Sequence, residues 1–160
     1  MNILITGASR GIGAAAYAQL KKQGHCVVGH STKGSDELVA GDLMDAAAPR
    51  NIWDTALAEL GGQIDVLVNN AGIYEGVPDN ATDDEWHRAW SRTLTINLQA
   101  AADLSKLAVS HFLDLGISGR IINIASRAAF RGDSPQHWHY AASKAAIIAM
   151  TKTVARGYAA

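Results

Sequence analysis

The sequence is short of cysteine, of excess charge and of long apolar runs, and each shortage excludes a class of protein. Its one cysteine, Cys26, cannot form an internal disulfide, so a disulfide-stabilised secreted domain is excluded and a reducing, cytoplasmic setting is favoured. Because Cys26 lies in an apolar run, we expect a core thiol there. No apolar run approaches the about 20 residues of a membrane-spanning helix, and the chain enters a predicted strand at once, without a signal peptide. We therefore expect no membrane contact.

The near balance of charge excludes a second class, the proteins that bind polyanions. The formal net charge is −1, with lysine and arginine scattered along the chain, which argues against a nucleic-acid or anionic-membrane surface. Apolar residues make up 48% and charged residues 18%, as in globular proteins. A chain of 160 residues fits one domain. Such a domain buries roughly two-thirds of its unfolded surface.

The first thirteen residues, MNILITGASRGIG, carry the most informative pattern. An apolar run at residues 3–5 predicts a buried strand, and the glycines that follow predict a tight turn into a helix. Gly7 permits backbone angles closed to other residues, while Gly11 and Gly13 lack the Cβ atoms that would keep a phosphate or a strand away. The helix N-terminus then offers free N–H groups to an anion. An ordinary strand-to-helix turn has the same appearance, so the rest of the chain must decide.

Strand and helix patterns alternate along the rest of the chain. Short apolar runs predict strands, and apolar residues at helical spacing predict helices, bounded by glycine or proline. This alternation predicts a parallel α/β sheet with right-handed crossovers. The connection between the second and third strands is too short for a regular helix. The predicted strands are residues 3–5, 26–30, 38–40, 64–68 and 120–125, and the predicted helices are residues 13–23, 49–60, 82–90, 91–115 and from about 138 onward.

Small and polar residues gather where the predicted strands end. Glycines follow the first strand, Asn69 to Gly72 follow the fourth, and Ser126 ends the fifth. In an open parallel sheet, ligands bind beyond the carboxyl ends of the strands, at the point where the strand order reverses. The sequence therefore predicts a ligand site at this edge of the sheet.

The last predicted helix carries Tyr140 and Lys144, which lie four residues apart and therefore on one helix face. A lysine cation close to a tyrosine favours the phenolate. Tyr140 could then protonate a carbonyl oxygen or deprotonate an alcohol, and Ser126 is a candidate donor to the same oxygen. Taken alone, this spacing also occurs on ordinary helices. His137 and His139 precede the tyrosine, but without a third ligand we expect them to line a pocket and not to bind a metal.

Taken together, the motifs resemble the short-chain dehydrogenase/reductase family. The resemblance covers the whole chain and rests on Thr6-Gly7-x-x-x-Gly11-x-Gly13, Asn69-Asn70-Ala71-Gly72, Asn97, Ser126 and Tyr140-x-x-x-Lys144. The three residues between the first two glycines are typical of the compact branch, and TGASRGIG is similar to the wording of 3-oxoacyl-acyl-carrier-protein reductases. The resemblance implies a Rossmann-type, doubly wound parallel sheet. It also implies hydride transfer between a nicotinamide cofactor and a carbonyl or secondary alcohol.

The resemblance also implies a role for each matching residue. Tyr140 would be the acid/base, and Lys144 would favour its phenolate and hydrogen-bond the nicotinamide ribose. Ser126 would orient the substrate carbonyl, and Asn97 would hold a water that links Lys144 to solvent. The implied cofactor-binding residues are Gly7, Ser9, Arg10, Gly11, Ile12, Gly13, Ser31, Thr32, Asp42, Leu43, Asn69, Ala71, Gly72, Tyr140 and Lys144.

Charge placement favours NADP(H) as the cofactor. An NAD-specific site usually has a carboxylate at the end of the second strand, where it bonds the ribose 2′-OH. Here that end reads Gly29-His30-Ser31-Thr32-Lys33, and the first carboxylate is Asp36. Arg10 in the glycine turn could meet a 2′-phosphate, and the residues from Ser31 to Lys33 could add donors and charge. NAD(H) is the alternative.

The end of the chain departs from the family pattern. Because the sequence stops at Ala160, we expect a single Rossmann domain over residues 1–160, truncated after the helix that carries Tyr140 and lacking the substrate-binding portion. A non-catalytic dinucleotide-binding or assembly module is therefore the alternative function. The resemblance implies a small carbonyl or alcohol substrate and a homodimer or homotetramer. Candidate pocket-lining residues are Tyr74, Arg127, Phe130, Arg131 and Trp138.

Overall fold

A computed structural model describes residues 1–159 of the chain. Its contacts group into two compact units. The first contains Met1–Ala71 and Asp103–Ile124, and the second contains Gly72–Ala102 and the chain from Ala125 onward. The single-domain organisation of residues 1–160 stays a prediction.

The first unit is built on a five-stranded sheet in the order β3-β2-β1-β4-β5. All its strand pairs are parallel, which confirms the predicted parallel α/β sheet. The strand order reverses between β1 and β4, the two central neighbours. The strands are β1 (Asn2–Ile5), β2 (Cys26–Ser31), β3 (Leu38–Ala40), β4 (Val66–Asn69) and β5 (Arg120–Asn123).

Helices connect most of these strands. α1 (Gly11–Lys22) joins β1 to β2, and α2 (Ala48–Glu59) joins β3 to β4. Residues 32–37 form turns without a helix between β2 and β3, as the short connection predicted. Fully buried Leu4 and Ile5 of β1 and Leu67 of β4 form the centre of the unit's core. These near-continuous apolar strands are typical of a sheet covered on both faces.

The second unit is helical. It contains α3 (Asp83–Leu94), a π-helical segment (Thr95–Gln99), α5 (Ala128–Arg131) and α6 (Trp138–Tyr158), and α4 (Ala100–Leu115) begins in it and continues into the first unit. A capping box begins α3, because Thr82 Oγ1 accepts from the Glu85 N–H and the Glu85 carboxylate accepts from the Thr82 N–H. Within the described residues, no helix is both long enough and apolar enough to cross a membrane.

Aromatic side chains join α3 to α6. The Trp86 and Trp138 rings meet edge to face with centroids 5.3 Å apart, and Trp90 lies 6.0 Å from His139. His139 is fully buried. Burial lowers the pKa of its imidazole, which is therefore held neutral. The histidine thus belongs to an aromatic core, and the part of the chain that the structure describes contains no cluster of three metal-ligating side chains.

Three local predictions were wrong in position or burial. Cys26 is exposed, because it is the first residue of β2 and burial along this strand only begins with the half-buried Val27. The fifth strand ends at Asn123, so Ser126 follows it by three residues, and the short α5 comes next. The helix predicted over 91–115 is interrupted by π-helical winding at Thr95–Gln99.

Two glycines in helical backbone test how closely the turn after β1 is packed. A Cβ at Gly13 would lie 2.1 Å from the Gly7 carbonyl oxygen and 2.4 Å from Asn70 Nδ2, whereas a Cβ at Gly157 of α6 would meet nothing. We expect Gly13→Ala to lower the free energy of unfolding by about 1–3 kcal/mol, the usual cost of overpacking. Gly157→Ala should raise it by up to about 1 kcal/mol, through helix propensity. Urea denaturation measures both changes, and equal stability of the two variants would contradict the close approach.

Candidate functional site

The carboxyl ends of β1 and β4 are tied together by Thr6 and Asn70. Thr6 Oγ1 accepts hydrogen bonds from the Asn70 N–H at 3.1 Å and the Ala71 N–H at 3.0 Å. The Asn70 side-chain amide donates to the carbonyl oxygens of Thr6 at 2.9 Å and Gly7 at 3.0 Å. These bonds fix the start of the glycine turn at the point where the strand order reverses. Sequence analysis quoted both residues but did not assign them to the site.

The turn itself leaves the N-terminus of α1 open to an anion. Gly7 and Gly11 have φ values of +68° and +57°, which only glycine adopts readily. In the described chain, the N-cap residue Arg10 makes no side-chain capping bond, and the first turn of α1 holds no acidic residue. The positive end of the helix is therefore not neutralised by the protein's own carboxylates, and its N–H groups suit a phosphate.

A cleft of about 490 Å³ lies beside this turn in the first unit. Its lining includes two predicted cofactor residues, Ser9 and the buried Ser31, whose hydroxyl accepts from the Gly34 N–H. Asp36 and Glu37 line the same cleft. Sequence analysis named Asp36 only as the first carboxylate after the second strand, whereas the turns after β2 bring both carboxylates back to the cleft.

The remaining predicted cofactor residues of the first unit differ in what they can offer a ligand. Asp42 is exposed, with one carboxylate oxygen accepting from the Met44 N–H at 3.0 Å, and the adjacent Leu43 is buried. Asn69 is buried, and its amide donates to Ser105 Oγ at 3.1 Å and Asn123 Oδ1 at 2.8 Å. The Asn69 side chain thus links β4 to its neighbours. Arg10, Ile12 and Thr32 are exposed.

Asn97, in the second unit, lies in the π-helical segment. It is 2% exposed. Its Oδ1 accepts from the Ile73 N–H at 2.8 Å, and its amide donates to the Ile73 carbonyl at 3.0 Å and to Ser143 Oγ at 3.3 Å. Single π-helical turns are frequent at functional sites. Here the wider turn holds a buried amide that joins the segment after Ala71 to α6.

Lys144 lies beside Asn97, one helical turn after Tyr140 on α6. Lys144 is 6% exposed, and its Nζ is 5.9 Å from the centroid of the Tyr140 ring. A Cβ at Gly72 would lie 3.3 Å from Asn97 Oδ1 and 3.6 Å from Lys144 Nζ, so the bare glycine makes room for both groups. Burial lowers the pKa of the Lys144 amine. The structure therefore brings together three of the four residues predicted to be catalytic.

Ser126, the fourth of these residues, is half-buried at the start of α5. Its hydroxyl accepts from the Ala128 N–H at 3.1 Å. Among the described residues, Ser126 and Tyr140 share no hydrogen bond. The serine thus lies in the same unit as Tyr140, and its contact with a substrate oxygen stays a prediction.

The Tyr140 ring is flanked by a second tyrosine. Tyr74 meets Tyr140 edge to face with ring centroids 4.7 Å apart. The Tyr74 ring also stacks on the His137 ring, with centroids 3.9 Å apart. Its hydroxyl donates to Asp133 at 3.0 Å. Tyr74 is the predicted lining residue that the structure places against Tyr140, whereas Phe130 is 81% exposed.

The sheet, the glycine turn and the open helix N-terminus define a nucleotide-binding α/β protein of the Rossmann type. Residues 1–160 match the model of the family described as short chain dehydrogenase, so the chain belongs to the short-chain dehydrogenase/reductase family. The resemblance drawn from the motifs is confirmed.

Individual relatives agree with this assignment. The chain is 34% identical to a 3-oxoacyl-acyl-carrier-protein reductase, FabG, of Escherichia coli, over 96% of this chain and 65% of that protein. It shares 32% identity and a TM-score of 0.84 with a short chain dehydrogenase from Burkholderia cenocepacia in complex with NADP, covering 98% and 67% of the two chains. A 4-hydroxyisoleucine dehydrogenase complexed with NADH gives 28% identity and a TM-score of 0.86, covering 99% of this chain and 70% of that one.

These relatives are longer than this chain. The chain spans 61% to 65% of the length of the curated relatives it matches. Their cofactors are both of the nicotinamide dinucleotide class, since one solved neighbour holds NADP and another NADH.

Replacing Asn97 tests whether it holds the second unit together as its bonds indicate. We expect Asn97→Ala to lower the free energy of unfolding by about 1–3 kcal/mol, because the partly buried N–H and carbonyl of Ile73 lose their partner. The exposed Asn80 provides a matched control. Asn80→Ala should change stability by less than about 0.5 kcal/mol. Chemical denaturation measures both, and an Asn97→Ala variant as stable as the control would show that these bonds contribute nothing.

Proposed function

We propose that this chain carries out NADP(H)-dependent hydride transfer between the nicotinamide and a carbonyl or secondary alcohol. The observation that supports the proposal most is the grouping of Asn97, Tyr140 and Lys144 in the second unit. A dinucleotide-binding module needs no acid/base tyrosine with a buried lysine beneath it, whereas a reductase does. The dinucleotide supplies the hydride, and the protein supplies the proton and the orientation.

Tyr140 is the acid/base in this proposal. In the reducing direction its hydroxyl donates a proton to the oxygen of the substrate carbonyl, and in the oxidising direction the phenolate accepts it. Lys144, as a cation, favours the phenolate, and its ammonium is available to the nicotinamide ribose. Ser126 orients the carbonyl from the start of α5.

Asn97 acts in the proposal through what it holds in place. Its amide keeps the segment at Ile73 and the α6 residue Ser143 at fixed distances, one turn from Tyr140. In the family pattern the same residue also holds a water beside the lysine, and this role is part of the proposal. Burial of Lys144 beside it means that a proton leaving the amine has little direct access to solvent.

NADP(H) is the cofactor we propose, with NAD(H) as the alternative. The residues directly after β2 include no carboxylate, and Arg10 stands exposed at the N-cap of α1, where a 2′-phosphate would find a cation. Asp36 and Glu37 in the neighbouring cleft act against this preference, because carboxylates repel a phosphate and accept from a ribose hydroxyl. Because Arg10 favours a 2′-phosphate and the two carboxylates oppose it, the preference between NADPH and NADH tests the assignment directly.

The substrate and assembly proposals are coarser. A small carbonyl or alcohol, without nucleic acid or membrane as partner, fits the exposed aromatic groups around Tyr140. A homodimer or homotetramer and a cytoplasmic location complete the proposal. The alternative function is a non-catalytic dinucleotide-binding or assembly module.

Removing a single hydroxyl tests the acid/base assignment. We expect Tyr140→Phe to lower kcat for NADPH-dependent ketone or 3-oxoacyl thioester reduction by about 100-fold or more, the usual contribution of a positioned proton donor. NADPH affinity should stay close to that of the parent. The matched control is Tyr158→Phe, at the exposed C-terminal end of α6, which should keep full activity. Equal rates for the Tyr140→Phe variant and the parent would exclude the catalytic assignment, and NADPH binding without turnover in the parent would favour the alternative.

A charge deletion tests the cofactor preference. We expect Arg10→Ala to raise KM for NADPH about tenfold and to leave KM for NADH nearly unchanged, because only NADPH has the phosphate that the guanidinium would bind. Arg50→Ala is the control, since Arg50 is an exposed residue of α2 that pairs with Asp54 on the same helix. A parent enzyme that prefers NADH would overturn the NADP(H) assignment outright.

A further inference from the structure

His30 is a buried histidine at the carboxyl end of β2, in the first unit, and the proposed reaction makes no use of it. The residue is 2% exposed. An isolated imidazole this deeply buried would leave two polar atoms without partners, at a cost that proteins rarely accept. Here both ring nitrogens have partners, and both partners belong to segments predicted to bind the dinucleotide.

The first partner fixes the tautomer of the ring. His30 Nε2 is 2.8 Å from the Gly41 carbonyl oxygen. A carbonyl oxygen can only accept, so Nε2 must carry the proton. Burial lowers the pKa of the imidazole, which keeps the ring neutral. In the neutral ring with a proton on Nε2, the other nitrogen, Nδ1, bears a lone pair and can accept.

The second partner lies in the glycine turn. The Gly7 N–H donates to His30 Nδ1 at 3.4 Å, and the next amide, the Ala8 N–H, donates to the His30 backbone carbonyl at 2.8 Å. The first of these bonds is long and the second is short. Together they mean that one residue of β2 receives two successive amides of the phosphate-binding turn.

On its Nε2 side the ring contacts Gly41, and the residues after Gly41 form another part of the predicted cofactor site. Asp42 and Leu43 follow Gly41 directly, and both are among the cofactor-binding residues that the family resemblance implies. A Cβ at Gly41 would lie 3.5 Å from His30 Nε2 and 2.7 Å from an Ile52 side-chain carbon, so the backbone approaches the ring closely. A single imidazole thus bridges the turn after β1 and the connection after β3.

We propose that His30 is a positioning residue for dinucleotide binding, whose neutral imidazole holds the Gly7 turn and the Gly41–Leu43 connection at one fixed separation. This inference rests on the proposed function, because it assigns the dinucleotide to these two segments. His30 does not touch the cofactor in this account. It acts by setting the distance between the groups that do.

Conservative substitutions separate the two bonds. Asparagine places its carbonyl oxygen near the position of Nδ1 and cannot reach Gly41. Glutamine places its amide nitrogen near the position of Nε2 and gives up the acceptor for Gly7. Leucine removes both bonds while keeping an apolar volume in the site. His87, exposed on α3, gives the matched control variant His87→Gln.

The experiment measures binding of NADPH and of NADH to the full chain by titration calorimetry, together with the thermal midpoint of each variant. We expect His30→Leu to weaken binding of the preferred cofactor by about tenfold or more, since both anchored segments loosen. His30→Asn and His30→Gln should each weaken it by a smaller factor, and His87→Gln should match the parent. Where turnover is measurable, kcat at saturating cofactor should stay unchanged and KM for cofactor should rise.

Two outcomes would overturn this inference, and a third would also overturn the proposed function. Folded His30→Leu that binds as tightly as the parent, with only a lower thermal midpoint, would reduce His30 to a core residue. A parent that shows its histidine proton on Nδ1 in imidazole nitrogen NMR spectra would contradict the assigned hydrogen bonds. A parent that binds neither dinucleotide would overturn the proposed function and this inference with it, whereas binding by the parent with unchanged affinity in the variants would overturn the inference alone.

Discussion

The pairing of β1 with β4 at their carboxyl ends is the constraint on which the first unit depends. These two strands are far apart in the chain, and their backbones must end side by side for a reversal of strand order to exist at all. The groups freed where the ladder stops would be unpaired, and Thr6 and Asn70 supply their partners. The glycine turn begins one residue later, so its start is fixed by bonds to β4 before any ligand arrives.

Much of this architecture could be predicted because it is local. Apolar runs, capping residues and glycine stops depend on a few neighbouring residues, and the strand positions followed from them to within two residues. The helices agreed less well, since α3 continues four residues further than predicted and the short α5 was not predicted. The π-helical winding at Thr95–Gln99 could not be predicted in this way. It widens one turn without disturbing the apolar spacing on either side, and Asn97 within it makes long-range bonds to Ile73 that no local pattern shows. Burial at the end of an element was equally hard to predict, as the exposed Cys26 shows.

The residues of the site also divide into those that local spacing predicts and those that depend on distant contacts. Tyr140 and Lys144 are four residues apart on one helix, so the spacing alone predicts that they lie close together. Residues that act through distant partners had no such signal. Asn70 reaches back over more than sixty positions to Gly7, and the carboxylates Asp36 and Glu37 reach the cleft only because the turns after β2 fold back. The sequence indicated only that His30 ends the predicted second strand. That position gives no sign of a role, because other residue types would agree with the strand pattern equally well.

The π-helical segment restricts how this part of the chain can vary in length. Trp90 contacts His139 on α6, and Asn97 bonds Ser143 one turn further along the same helix. A π-helical turn holds one residue more than an α-helical turn, because its hydrogen bonds run from i to i+5. Deleting one residue there and returning to α-helical winding would therefore keep the residues on either side at nearly their present angles around the axis. The wider turn that holds the Asn97 amide would be lost, together with its bonds to Ile73 and Ser143. A change of length in this segment therefore affects the bonds of Asn97 more than the direction of the flanking helices.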